Sequence, residues 1–394
     1  MYRKCLPIFV VHCSRYVTMQ VNPHKIQCKV LSRDTGYYFL LLTKMANFTP
    51  SNLLKAQTML TESFTEPEMR EKILPSIQIG LKNKDVLVKG AEELRKREDR
   101  AVSGYAMMRQ VRSTGSQRTA THTGNRGDSM ELPFTWNTFS DTFSISLKQM
   151  DNNLFSFEQA MMQNIKNCVL NIHSAIETAN ITYLLAARNQ VVQTTNPVGG
   201  YVTWNATNHV HEIGTPYNNR FTQLAKSVMR SNKYNGNMFD AIFDNQMYTN
   251  AEFWASQGGS NAQNTAFQFT GMNINPSIEL ADSDYPDGIA LVMQPATYAM
   301  IPWIPKQNIT GYGDYNSYLG GYGSIIDPIT NPNGIYSGGL VFAVHGYALR
   351  ADTSSDNGVE QDNLMQFEIS VDVANALTPL SVANESVVYA FGQM

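Results

Sequence analysis

The residues best suited to metal chemistry are the two histidines of His209-Val-His211-Glu212. In an extended strand alternate side chains share a face, so His209 and His211 would present two imidazoles to one ion. A zinc site needs three or four ligands, and the sequence has no second, separated group of ligands. The segment resembles the start of a cupin motif, but the spacing of its histidines to Gly200 and Glu212 differs from the spacing in that motif. We therefore predict no metal site and no cofactor.

Two acidic segments have residue types that bind calcium. The segment Asp282-Ser-Asp284-Tyr-Pro-Asp287-Gly288 resembles an EF-hand loop, but its third carboxylate comes one position late and a proline interrupts it. The second segment contains Asp352, Asp356, Glu360 and Asp362. Both segments are rich in turn-forming residues, so we interpret them as solvated turns rather than cation sites.

Two glycine-tyrosine motifs, Gly311-Tyr-Gly313 and Gly321-Tyr-Gly323, have the composition of phosphate-binding loops. Such a loop needs a strand before it, a Lys-Ser/Thr pair after it and a helix start at the phosphate, and none of these is predicted here. The sequence also contains no nucleophile elbow and no zinc CxxC pair. His173 lies between the faces of a predicted helix and is interpreted as a structural group. We predict no catalytic residue, and hence a protein that is not an enzyme.

Composition favours a protein that contacts other protein. The chain has 394 residues, enough for two or three domains, and only 16% of them are charged, against a usual share of about 25%. Tyrosine, phenylalanine and methionine, which interfaces enrich, occur 19, 18 and 19 times. No apolar run approaches the roughly 18 residues of a membrane span, so we predict no membrane association.

The first 44 residues differ from the rest. They contain Cys5, Cys13 and Cys28, seven basic residues and one acid, Asp34. Their apolar run is too short for a secretory signal. We interpret residues 1–44 as a mis-called extension or a leader, with translation starting at Met45. Without them the net charge is −9 instead of −3.

The strongest secondary-structure signal is a long helix from Ser156 to about Gln190, which we call the spine helix. Apolar residues recur at steps of three and four, the period of one helical face. They are Phe157, Met161, Ile165, Cys168, Ile172, Ala175, Ala179, Tyr183 and Ala186. Ser156 and Gln159 have the spacing of a capping box. At 1.5 Å per residue the helix would be roughly 50 Å long.

Residues 104–149 form the second distinctive unit, a predicted long β-hairpin. Its tip, Ser113–Gly127, is polar and rich in turn residues. Alternating apolar residues predict strands that need a partner surface along their length. These residues are Leu132, Phe134, Trp136, Phe143, Ile145 and Leu147. Because the tip has no large apolar residue of its own, we expect it to be either disordered or ordered by another molecule.

The remaining chain predicts a mixed α+β fold. Residues 45–100 predict one or two short helices, with the mixed-charge run Ala91–Arg100 on a solvated face rather than as a nucleic-acid patch. A helix is predicted at Phe221–Ser231 and a short one at 250–255. Strands are predicted at Met238–Asp244, Phe267–Met272, Ile289–Met293, Leu340–Leu349 and Leu364–Val373. Residues 311–339 are predicted to be one long irregular loop.

This order of parts resembles the major capsid proteins of tailed bacteriophages, whose fold also occurs in encapsulins and in the herpesvirus capsid floor. The resemblance covers Met45 to Met394 and rests on the order and size of the elements rather than on a diagnostic motif. It implies an N-terminal arm at 45–103, an extended hairpin loop at 104–149 and a peripheral domain with the spine helix at 150–237. An axial domain would follow at 238–335, and 336–394 would return to the peripheral domain. Some family members cross-link a loop lysine to an asparagine, but Lys148 lies at the hairpin base, so that chemistry is not expected here.

The resemblance implies a structural subunit that self-assembles as hexamers and pentamers into an icosahedral shell around double-stranded DNA. Its partners would be other copies of itself and possibly portal, scaffolding and decoration proteins, with packaged DNA not bound specifically. Its location would be the virion, after assembly in the host cytoplasm. The net charge of −9 repels DNA, which suits a container. Two alternatives stay open, namely an encapsulin-type compartment and a carbohydrate-binding or hydrolytic surface protein, for which paired carboxylates in a cleft would be the mark.

Overall fold

The computed structural model describes most of the chain after Thr49. The described ranges are 50–65, 74–107, 129–146, 157–188, 200–232, 234, 238–258, 271–309, 322–331, 334–350, 363–380 and 386–394. They lie in a single compact unit, Pro50–Met394. Residues 1–44, the hairpin tip 113–127, Lys148, Gly311-Tyr-Gly313, Gly321 and the acidic segment 352–362 fall outside these ranges, whereas Tyr322 and Gly323 of the second glycine-tyrosine motif lie inside them.

Two of the three helices at the start of this unit begin at a proline. Helix α1 spans Pro50–Thr65, α2 spans Pro75–Leu87 and α3 spans Ala91–Arg95. Proline at the first helical position costs no hydrogen bond, since that N–H has no partner within the helix. Gly80 faces a strand of the main sheet, and a Cβ there would lie 2.6 Å from the Cβ of Met300. The glycine therefore allows α2 to pack directly on the sheet.

The predicted spine helix is confirmed as one continuous helix, α4, at Phe157–Ala186. Its 30 residues give a length of about 45 Å. The first half buries the predicted stripe, from Met161 to Ile172. Beyond Ile172 the predicted stripe is wrong, because Ala175 and Ala186 are exposed. The side chains buried there are His173, Ile176, Glu177, Asn180, Ile181 and Leu184.

This shift of the buried face follows a change of neighbours along α4. The helix packs against α1, α2 and two strands of the main sheet. Its second half contacts the start of α2 through Ser76 and the segment after a strand of the other sheet through Ser277. A sequence stripe records the average helical period, whereas the buried face is set by whichever elements surround each turn.

The main sheet, which α4 crosses, has five strands. They are β3 (Trp136–Ser146), β9 (Tyr298–Trp303), β10 (Tyr322–Ile326), β11 (Val341–Arg350) and β12 (Asn363–Leu377). The order is β10-β11-β12-β3, and all pairs are antiparallel. Strand β12 pairs with β3 over Leu364–Ala374 on one edge. Its other edge pairs first with β11 and then, from Asp372, with β9.

The predicted hairpin is confirmed at its base, and residues 108–128, which include its tip, lie outside the described residues. Strand β1 (Ser103–Met107) pairs antiparallel with β2 (Ser129–Pro133). The next strand, β3, leaves the hairpin and becomes the edge of the main sheet, where Phe143 stacks on Phe367 at 5.0 Å between ring centroids. In the shell that the resemblance implies, an adjacent subunit would cover Phe143 and Ile145, but β12 of the same chain covers them, so that expectation is wrong for these two residues.

The second sheet has six strands, in the order β4-β5-β13-β8-β6-β7. They are β4 (Val202–Asn205), β5 (Val210–Ile213), β6 (Phe239–Phe243), β7 (Met272–Pro276), β8 (Ile289–Met293) and β13 (Val388–Gln393). Strands β6, β8 and β13 are buried throughout. Helix α5, Phe221–Ser231, has the predicted bounds, and α6 at Asn245–Gly258 is longer than predicted. The helices α5 and α6 share a core cluster with this sheet.

Sheet membership divides the chain differently from its sequence order. Strands β4 and β5 precede residue 238, and β13 lies in the last nine residues, yet all three belong to the sheet of β6, β7 and β8. Conversely, β9 and β10 lie between 238 and 335 but belong to the main sheet. The names peripheral and axial domain for the sequence segments stay a prediction.

The predicted irregular loop 311–339 is partly wrong. It contains β10, and the turn after β10 is held by side chains. Asn331 accepts hydrogen bonds from the backbone N–H groups of Ser337 and Gly339 and donates one to the carbonyl of Leu340. Turns fixed by side-chain hydrogen bonds leave few backbone groups unsatisfied. The low charge and high glycine content of residues 311–339 predict an irregular loop and give no sign of β10 or of this ordered turn.

The prediction that the mixed-charge run Ala91–Arg100 lies on a solvated face is partly wrong. Arg95 is buried, donates to the carbonyl of Gly339 and lies over the ring of Tyr336 at 4.8 Å. Lys84 is also buried and binds Glu92 and the carbonyl of Gly338. The turn at 327–340 is therefore attached to α2 and α3. Within the described ranges no helix has the length and hydropathy to cross a bilayer.

Candidate functional site: the buried polar face of the spine helix

Helix α4 carries three buried polar residues in its second half, His173, Glu177 and Asn180. They are separated by four and three positions, so they lie on one side of the helix. Buried polar groups are costly unless they are hydrogen-bonded. Together the three bond to four other segments of the chain, and Glu177 and Asn180 share Ser76 as a partner.

Glu177 connects α4 to the start of α2 and to the second sheet. Its carboxylate accepts hydrogen bonds from the backbone N–H and the hydroxyl of Ser76 and from the hydroxyl of Ser277, which follows β7. Burial raises the pKa of Glu177, although its hydrogen bonds to Ser76 and Ser277 act in the opposite direction. The carboxyl group is thus shielded from solvent, and hydrogen bonds from Ser76 and Ser277 compensate for its burial.

His173 lies one turn earlier and contacts the turn after β10. Its Nε2 is 3.0 Å from Oδ2 of Asp327, and both side chains are buried. Asp327 also accepts from the backbone N–H groups of Ile329 and Thr330. Burial alone would raise the pKa of Asp327, but the charge and hydrogen bond of His173, with those of the turn, hold the pKa below its usual value. The pair links α4 to this turn, in keeping with the structural role predicted for His173.

Asn180 connects α4 to the long strand of the main sheet. Its Nδ2 donates to the hydroxyl of Ser76, and its Oδ1 accepts from Asn375 of β12 over 2.9 Å. Oδ1 of Asn375 in turn accepts from the hydroxyl of Tyr298 on β9. Burial, followed by the charge of Glu177, raises the pKa of Tyr298 well above its usual value. The phenol is therefore a hydrogen-bond donor at any working pH.

These contacts make the polar face a junction of α2, the main sheet and the second sheet. Its carboxylates and hydroxyls form hydrogen bonds with one another and do not converge on an open cleft. The arrangement therefore supports a structural role, in which α4 is linked to α2 and to both sheets. Sequence reasoning missed Glu177, Asp327 and Asn375 as members of the site. A signal existed, because Glu177 is an acid with apolar neighbours at Ile176 and Ile181 inside a helix of low charge.

The two histidines of the predicted metal candidate do not lie together on one strand. His209 precedes β5 in a turn, with φ of 55°. His211 lies within β5, buried between Trp204 and Phe391 at ring-centroid distances of 4.7 and 5.3 Å. Burial lowers the pKa of His211 to about 4. Among the described residues there is no group of three or more His, Cys, Asp and Glu side chains that could hold a metal ion.

The acidic segment at 282–288 is a turn that other side chains hold in place. Arg188, beyond the end of α4, donates to the carboxylate of Asp282 over 2.7 Å. Tyr285 is buried and its hydroxyl donates to Glu212. Gly288 has φ of 127°, a conformation that other residues rarely adopt. One carboxylate of the segment is thus used in a salt bridge that attaches the turn to α4.

The chain is similar to solved structures from phages, although no family model and no curated protein matches it. One is from Mycobacterium phage Che8, with 12% identity over 83% of this chain and 96% of that chain, and a TM-score of 0.43. Another is titled "Capsid structure of the Cyanophage P-SCSP1u", with 12% identity over 76% of this chain and 85% of that chain, and a TM-score of 0.41. A third is titled "Capsid of Ralstonia phage GP4", with 9% identity over 83% of this chain and 96% of that chain, and a TM-score of 0.38.

Proposed function

We propose that this chain is a structural subunit of a tailed-phage capsid shell and carries out no catalysis. The observation that carries the proposal is the arrangement of elements around α4. A helix of 30 residues crosses a five-stranded sheet and contacts a six-stranded sheet through the buried polar junction and through Ile181 and Leu184. It is preceded by a hairpin that forms its own two-stranded sheet. The cyanophage and Ralstonia phage structures are capsids by title. The same role for this chain rests on the order and contacts of its own elements.

The hairpin supports the proposal because it exposes apolar side chains. Tyr105 of β1 is 63% exposed and Met130 of β2 is 43% exposed. Val102, next to the hairpin, is also exposed. Tyr105 and Met130 lie on opposite faces, since their partners in the ladder are the adjacent positions Glu131 and Ala106, so each face of the hairpin offers one apolar side chain for contact with another molecule. Identical subunits close a shell by heterologous contacts, in which one surface of each copy binds a different surface of the next.

In this proposal the copies form hexamers and pentamers in the virion shell, and assembly takes place in the host cytoplasm. Residues 45–103 act as the N-terminal arm and 104–149 as the extended loop. The main sheet with α4 corresponds to the peripheral domain and the six-stranded sheet to the axial domain. Portal, scaffolding and decoration proteins are the further partners that such a shell would use.

The proposal is tested by producing the full chain alone and examining it over a range of protein and salt concentrations. Sedimentation velocity and negative-stain electron microscopy should show hexamers, pentamers or closed particles of uniform diameter. A chain that stays monomeric under all conditions would contradict a shell subunit. Uniform particles that enclose a cargo protein instead of DNA in the producing cell would favour an encapsulin-type compartment, and binding of oligosaccharide by a monomer would favour the carbohydrate-binding alternative.

A further inference from the structure

Helix α5 has one face committed to the core of the second sheet. Phe221, Leu224, Val228 and Met229 are buried in the cluster that contains Phe243 of β6. These side chains follow the helical period and fix which face of α5 points away from the sheet. The opposite face is therefore available to solvent or to a partner.

That opposite face is basic and contains no acid. We call it the basic face and define it by Arg220, Gln223, Lys226, Ser227 and Arg230. No Asp or Glu occurs between Glu212 and Asp240. Arg220 and Arg230 are exposed and Lys226 is half-buried. Within the described part of the chain, none of the three cations forms an ion pair.

The cations of the basic face repel one another. Lys226 and Arg230 are one helical turn apart, about 6 Å along the axis. Burial, and then the charge of Arg230, lowers the pKa of Lys226. Like charges at this spacing destabilise a helix. An anionic partner would relieve that repulsion.

The chemistry of the basic face fits phosphate better than protein. The centre of a protein interface is enriched in aromatic residues and methionine and depleted of lysine, whereas the basic face has no apolar side chain. Arginine, lysine, glutamine and serine are side chains that commonly contact DNA phosphates. Elsewhere on the surface, around α2 and α3, the cations Lys82, Lys89 and Lys96 alternate with Asp85 and Glu93. A solvated helix face of the usual kind has such alternation, and the basic face has none.

We infer that the basic face binds the sugar-phosphate backbone of duplex DNA without reading its sequence. The inference rests on the proposed function, since in a shell it means that the α5 side of the six-stranded sheet faces the packaged genome. The net charge of the whole chain is negative, so attraction of DNA depends on local groups of cations such as this face rather than on the chain as a whole. A weak contact in each subunit is repeated in every copy of the shell.

The test measures binding of a 30-base-pair duplex to the purified full chain as salt is raised. Each phosphate neutralised contributes about −0.9 to the slope of log affinity against log salt, so three cations give a slope of about −2.7. Affinity should then fall roughly 40-fold between 50 and 200 mM salt. The triple variant R220Q/K226Q/R230Q should bind too weakly to measure, with unchanged circular dichroism, because these side chains form no ion pair with the described residues.

The matched control is K82Q/K89Q/K96Q, which removes the same charge from exposed positions near α2 and α3. It should bind DNA as the parent chain does. Absence of salt-dependent binding by the parent chain, or equal loss in both triple variants, would overturn the inference. So would a basic-face variant that binds DNA normally but fails to form particles, because the face would then contact an acidic surface of another copy. Particle formation by the parent chain is measured separately, so a failure of the shell proposal can be distinguished from a failure of the DNA-binding inference.

Discussion

The carboxylate of Glu177, in the middle of the spine helix, accepts a hydrogen bond of 3.2 Å from the backbone N–H of Ser76, 101 positions away in the chain. Ser76 lies in the first turn of α2, where N–H groups have no partner within the helix, and Leu74 at the N-cap provides no side-chain cap. Glu177 therefore acts as the cap of a distant helix. The partial positive charge at that helix start further favours a carboxylate.

Replacement of Glu177 should destabilise the subunit strongly. Glu177→Ala leaves the Ser76 N–H and two hydroxyls without an acceptor in a buried place, which we expect to lower the free energy of unfolding by about 3 kcal/mol. Urea unfolding followed by circular dichroism measures this loss. Glu252→Ala is the matched control, because Glu252 is an exposed glutamate on α6, and it should change stability by less than about 0.5 kcal/mol. Equal effects of the two variants would contradict the capping role.

Two aspartate substitutions on α4 should have opposite outcomes. Ile172 is 2% exposed, so Ile172→Asp places an unpaired charge in the core and should prevent folding. Ala175 is exposed although the sequence stripe includes it, so Ala175→Asp should give soluble, folded protein. Yield of soluble protein and thermal unfolding distinguish the two. Failure of Ala175→Asp to fold would mean that the stripe read from the sequence, rather than the face seen here, is the buried one.

Stability should fall as the solution becomes mildly acidic because of His211. Burial lowers the pKa of this imidazole from 6.5 to about 4. Between those values the unfolded chain binds a proton that the folded chain excludes, so stability is present above pH 6.5 and lost as pH falls toward 4. The loss is about 3 kcal/mol. Denaturant unfolding at pH 7 and pH 4.5 measures it, and His211→Phe should show a smaller difference between the two pH values. An unchanged difference in His211→Phe would assign the pH dependence to other groups.

Assembly should depend on the hairpin tip more than folding does. The segment Ser113–Gly127 is polar and has no large apolar residue, so it adds little to a core. Replacing it with an Asn-Gly turn should leave circular dichroism and thermal unfolding nearly unchanged, since β3 is held by β12 of its own chain. Sedimentation should show fewer closed particles or none, with the parent chain prepared in parallel. Normal particles from this variant would contradict the role of 104–149 as an intersubunit loop.

The sequence by itself determined the elements whose signals are local. The spine helix and α5 follow from apolar periodicity, and the strands Phe239–Phe243 and Ile289–Met293 follow from compact apolar runs. Both signals report burial along one segment, which is why the sequence carries them. The α+β class, and the resemblance to phage capsid proteins through the order of elements, followed from the same signals.

Tertiary structure alone decided which segments meet. Strands β4, β5 and β13 join one sheet although β13 is the last element of the chain, and β3 leaves its hairpin to pair with β12. The polar junction at Glu177, His173 and Asn180 likewise depends on partners 101, 154 and 195 positions away. Hydrogen bonds of this kind have no period, and a polar residue gives no sign in the sequence of the partner that makes its burial favourable. The structure supplied those pairings because packing brings the distant segments together.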